Sequence, residues 1–115
     1  MVDMLTFALS KLLVAGAVGA CIAGSDGRVL GEAGAADWEK AAPLIPAAAA
    51  SWNCLAGDLG SEGFTGALIE ADSGVLIVMP LPGDDVLAVL LKPGANPGRV
   101  RYEMKKNLEL IASVI

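Results

Sequence analysis

The 115-residue sequence is 55% apolar, carries a formal net charge of −5, and contains two cysteines and no histidine. That length suits a single domain spanning 1–115, and the acidic balance opposes broad binding to nucleic-acid phosphates, which needs a basic surface. The lack of histidine removes the usual general base and the Ser–His and Cys–His nucleophile pairs, while a mean hydropathy of +0.61 asks where so much apolar surface goes.

In chain order, Val2, Leu5, Leu9, Leu12 and Leu13 recur at spacings of three and four and predict a helix over 2–14. Residues 17–23 read as a strand, Ser25-Asp26-Gly27 as a turn, and 28–32 as the returning strand of a hairpin. Asp37 is a helix-capping residue with Glu39 in the turn that follows. A helix over about 43–58 comes next, with a short separate turn before it. Pro43 suits its first position and Pro46 bends its opening turn. Leu44, Ala48, Trp52, Leu55 and Leu59 form its apolar stripe. Trp52 is therefore expected in core or interface, whereas Trp38 at the helix start is expected to be partly exposed.

Gly57, Gly60 and Gly63 are spaced like part of a glycine fingerprint but follow a helix, so a helix C-cap and loop is the better reading. Three strands are predicted at 64–71, 75–79 and 86–91, joined by short turns and hence antiparallel. Asn96-Pro97 opens a last helix carrying Val100, Met104, Leu108, Ile111 and Ile115. The order is αββαβββα. The 86–91 strand is apolar on both faces and must be covered on both. The expected architecture is an α/β, three-layer α/β/α sandwich around a five-stranded, mainly antiparallel sheet.

The longest low-charge stretches run from Lys11 to Asp26 and from Lys40 to Asp58. The first falls short of the ~20 residues a spanning helix needs, and the second is broken by Pro43 and Pro46; membrane insertion is not expected. Asp3 precedes any Lys or Arg, unlike the basic start of a secretory signal. Cys21 and Cys54 sit in apolar segments and read as buried reduced thiols, so a cytoplasmic location is expected. Carboxylates are scattered, Asp84-Asp85 reads as a solvated turn, and no phosphate-binding loop is present. No catalytic, cofactor-binding or metal-binding residue is therefore assigned.

An edge strand exposes unpaired backbone groups and is usually blunted by charge or proline. The 28–32 strand carries charge at both ends; the 64–71 strand has no Lys, Arg or Pro. If it lies at an edge, it can pair with its own copy, and the alanines at 47–50 let the neighbouring helix approach another closely. The interface residues expected from this are Ala48, Trp52, Phe64, Thr65, Gly66, Ala67 and Leu68. In the alternative, the strand is internal and the alanines face the sheet. The closing helix sets Arg99, Arg101, Lys105 and Lys106 against Glu103 and Glu109. Arg99, Arg101 and Lys105 are candidate partner-binding residues, a solvated helix face being the plainer reading.

The run Asn96-Pro97-Gly98-Arg99-Val100-Arg101-Tyr102-Glu103-Met104 resembles the closing-helix signature of the Roadblock (dynein light-chain type) family. Gly19-Ala20, Asp26-Gly27-Arg28-Val29-Leu30 and Val75-Leu76-Ile77-Val78-Met79-Pro80 resemble it too. Pro43 and Pro46 depart from the family's long second helix. The resemblance implies a Roadblock-like, profilin-like outline and a homodimer with one continuous sheet across the third strands. It also implies a non-catalytic platform that binds and regulates a Ras-like small GTPase, or a scaffold or adaptor subunit. Some members stimulate a partner's GTP hydrolysis, for which Arg28, Arg99 and Arg101 are the available arginines. A small-ligand sensor is a third reading, and it needs a polar-lined cavity.

Overall fold

The computed structural model describes residues 3–115, so the expectation for Val2 lies outside the described residues. The elements are α1 (Met4–Ser10), β1 (Ala17–Ala23), β2 (Val29–Gly34), α2 (Leu44–Asp58), β3 (Ala67–Ala71), β4 (Gly74–Pro80), β5 (Val86–Leu91) and α3 (Pro97–Ser113), with a 3-10 turn at Pro82–Asp84. They form one antiparallel sheet in the order β2-β1-β5-β4-β3.

The central strand β5 organises the two cores. Leu87, Val89 and Leu91 point to one face and meet Leu9 of α1 with Val100, Met104 and Ile111 of α3. Val86 and Ala88 point to the other and meet Ile45 and Ala49 of α2, with Trp38 and Ala42 from the turn before it. Two helices therefore cover one face and one helix covers the other, the three expected layers.

Local chemistry accounts for the boundaries. Asp3 caps α1 by accepting from the Thr6 backbone N–H at 2.7 Å. The helix ends at Ser10 rather than 14, and the left-handed φ values of Ala15 and Gly16 turn the chain into β1. Leu12 still points into the core from beyond the helix. Strand β2 begins at Val29 because Arg28 belongs to the turn, its N–H donating to Asp26 Oδ1. Asp37 stops short of capping α2: it accepts from the Glu39 N–H in a turn of its own, and α2 opens at Leu44. Pro46 lies in the first turn of α2, where no intrahelical N–H is required. The helix ends in a Schellman motif, Ser61 N–H donating to Ala56 O and Gly60 N–H to Gly57 O, with Gly60 at φ 89°.

Three expectations are corrected. Trp38 is not partly exposed but 4% exposed, seated among the alanines beneath α2. The α2 stripe is rotated: Ile45 and Ala49 are buried, while Leu44, Leu55 and Leu59 are exposed. Only Ile45 and Ala49 of α2 are buried, so one narrow line of side chains meets the sheet and the flanking leucines stay outside. The strand expected at 64–71 begins only at Ala67, because the N–H of Phe64 is drawn to Asn53 Oδ1 at 3.1 Å and its ring to Trp52.

Two glycines separate backbone need from chance. A Cβ on Gly34, at φ +90°, would run into the Val18 carbonyl oxygen, whereas one on Gly57 meets nothing within 4 Å. Gly34→Ala should cost about 2 kcal/mol or more, and Gly57→Ala should stabilise by roughly 0.5–1 kcal/mol as a helix-interior replacement. Opposite shifts in thermal midpoint check both; equal shifts contradict the strain assigned to Gly34.

Candidate interaction surface

Strands β2 and β3 are the edges of the sheet. Helix α1 packs on β2, and Gly31 lies so close beneath Leu5 that an added Cβ would come within 2.5 Å of its methyl group. Among the described residues, strand β3 has β4 on one side and no neighbour on the other, so one row of its backbone groups is open. Along it the pairing register Leu68↔Ile77 and Glu70↔Val75 places Leu68 and Glu70 on the α1/α3 face. Ile69, opposite Leu76, belongs to the α2 face. Leu68 is 45% exposed.

The outer surface of α2 is apolar. Leu44, Leu55 and Leu59 are more than half exposed, Leu59 reaching 75%. Ala48 and Trp52 are half-buried, the Trp52 ring lying 5.5 Å from that of Phe64. Of the interface residues expected from the sequence, Gly66 and Ala67 are half-buried and Thr65 is exposed at the approach to β3. The structure thus brings together the C-terminal half of α2, the Phe64–Trp52 contact and the open edge. Leu44, Leu55 and Leu59 belong to the apolar stripe that periodicity predicts, whereas the line of α2 that is buried runs through Ile45 and Ala49.

The basic residues of α3 divide. Arg99 Nε lies 3.4 Å from Glu103 Oε1, and Arg28 Nε lies 3.1 Å from Asp26 Oδ2. These are the ion pairs among the described residues, so two of the three candidate arginines already face a carboxylate. Arg101 and Lys105 are exposed, and Arg101 rims a hollow of about 170 Å³ beside Gly66, Leu68, Ile77 and Met79.

On the other flank of α2 a groove of about 660 Å³ runs between the helix and the strand-end loops. Pro43, Pro46, Phe64 and Leu81 line it, with Asp26, Asp84 and Asp85 at the rim. Asp84 is exposed, as expected of a solvated turn, while Asp85 Oδ1 accepts from the Ser25 N–H at 3.2 Å and ties two loops together. Among the described residues no group of three or more His, Cys, Asp or Glu is placed to hold a metal ion, and no helix is long and apolar enough to cross a membrane.

The two thiols differ. Cys54 is exposed on α2, against the expectation of burial, because it lies on the side of the helix away from the sheet; Cys21 is fully buried in β1. Burial, with Glu32 nearby, pushes the Cys21 pKa up to about 12, so this thiol stays protonated and unreactive near neutrality. A thiol reagent at pH 8 should leave Cys21 unmodified until denaturant unfolds the chain, as peptide mass mapping would read; labelling in the native fold would contradict the packing.

No family model and no curated protein sequence matches the chain. Solved structures do. The gliding protein MglB of Thermus thermophilus superposes with a TM-score of 0.85 at 23% identity, over 96% of this chain and 87% of that chain. A Roadblock/LC7 domain of Streptomyces avermitilis gives 0.85 at 21% identity, over 97% of each chain. Another Roadblock/LC7 domain structure from that organism gives 0.70 at 28% identity, over 96% of this chain and all of that one. The fold expected from the closing-helix residues is therefore the fold observed: the chain has the fold of the Roadblock/LC7 domains.

Proposed function

We propose that this chain is a single, non-catalytic, homodimeric domain of the cytoplasm that binds and regulates a Ras-like small GTPase. The observation that carries the reading is the open edge of β3, which has no Lys, Arg or Pro, together with the exposed leucines of α2. Edge strands without blunting lysine, proline or bulge invite pairing, and exposed apolar surface beyond single scattered residues marks protein contacts. The likeness to MglB and to Roadblock/LC7 domains over nearly the whole chain supports it. Ala48, Trp52 and residues 64–68 would form the dimer contact, and Lys105, exposed on α3, remains available to a further partner.

The engagement of Arg28 and Arg99 with carboxylates favours docking over insertion of an arginine into the GTPase. A scaffold subunit indifferent to nucleotide is the second reading that this pairing supports.

Pull-down with the small GTPases of the same organism, loaded with GTP or GDP analogues, should recover one partner in a nucleotide-dependent manner. Capture indifferent to nucleotide supports the scaffold, and failure across all of them contradicts the GTPase reading. Leu68→Asp should weaken self-association at least tenfold, since it sets charge on a pairing edge; an unchanged dimer in light scattering would show that β3 is not the contact.

A further inference from the structure

Resting on the homodimer reading, we propose that the β3 seam is centred on Leu68 and locked by two ion pairs across the two-fold axis, Arg101 of each protomer holding Glu70 of the other.

The register follows from three features of one strand. A two-fold axis perpendicular to the sheet keeps both α2 helices on the same side. Residues directly opposite each other in an antiparallel pair then share a face. Strand β3 alternates Leu68 and Glu70 on the α1/α3 face with Ala67 and Ile69 on the α2 face. The axis must therefore lie midway between one residue and its own copy; centring on Glu70 or Ala71 would oppose carboxylates, Glu70 to itself or to Asp72, which leaves 67, 68 or 69. Centring on Ala67 stacks two small alanines and carries Glu70 past the start of the partner strand, and centring on Ile69 sets the carboxylate against Leu68. Centring on Leu68 stacks the two half-exposed leucines on each other and sets Glu70 opposite Gly66. Cross-strand pairs of like character stabilise a sheet, so the middle register is favoured.

That register has a consequence visible in a single protomer. Gly66 offers no side chain, and the hollow beside it is bounded by Leu68, Ile77 and Met79 with the guanidinium-bearing Arg101 at its rim. Arg101 is exposed, and neither it nor Glu70 forms an ion pair within the chain among the described residues. A carboxylate entering the hollow from the second copy would meet Arg101 directly, and two-fold symmetry makes the contact twice. The glycine, the hollow and the unpaired arginine are complementary to the one acidic residue of β3.

The two charges can be exchanged between chains. Glu70→Lys and Arg101→Glu, both at exposed positions, should each weaken self-association by about tenfold in sedimentation equilibrium, with unchanged far-UV circular dichroism. Mixed one to one, the two single variants should recover wild-type affinity as a heterodimer, because each contact then joins opposite charges. Recovery by a chain carrying both substitutions, without recovery on mixing, would place the pair within one chain and overturn the proposal. A wild-type dimer indifferent to both substitutions would overturn it as well, leaving the homodimer itself intact. A wild-type monomer across the micromolar range would instead remove the homodimer reading on which it rests.

Discussion

The structure depends on β5, a strand with no polar side chain on either face. Such a strand cannot lie against water, and its six residues require packed layers above and below. Its neighbours β1 and β4 inherit the demand, and α1, α2 and α3 meet it. Everything else in the fold arranges those three helices around two clusters that share the sheet.

The cover is uneven. One face receives two helices whose large side chains, Leu9, Met104 and Ile111 among them, are fully buried. The other receives α2 alone, buried chiefly through Ile45 and Ala49 and aided by Trp38 and Ala42. With only Ile45 and Ala49 buried, the helix has a narrow footprint and its leucines stand in solvent. A fully buried leucine is worth about 1.5–3 kcal/mol, against about 0.2–1 kcal/mol for a cross-strand charged pair. In the proposed seam, apolar cover would therefore supply the affinity, and Glu70 and Arg101 would choose the register.

Much of this is legible in the residues. Every helix and strand is anticipated in order, because apolar periodicity and Asn-Pro, Asp-Gly and Gly-rich boundaries agree with the final packing; β1 and β5 match to the residue. The open edge at β3 is signalled by its lack of basic charge and proline. What escapes depends on distances between elements. The burial of Trp38 and the outward turn of Leu44, Leu55 and Leu59 follow from which line of α2 meets the sheet, which periodicity does not encode. The late start of β3 follows from one side-chain hydrogen bond, Asn53 to the Phe64 N–H, formed between residues eleven apart. The hollow beside Gly66 needs three elements at once, and no local pattern announces it.

Amide hydrogen exchange along residues 67–71, followed as a function of protein concentration, tests the central claim most directly. Amides on the open row of β3 are predicted to gain protection as concentration rises and to lose it on dilution, while those of β5 stay protected throughout. Rapid exchange of that row at every concentration, with the leucines of α2 equally accessible, would contradict the account.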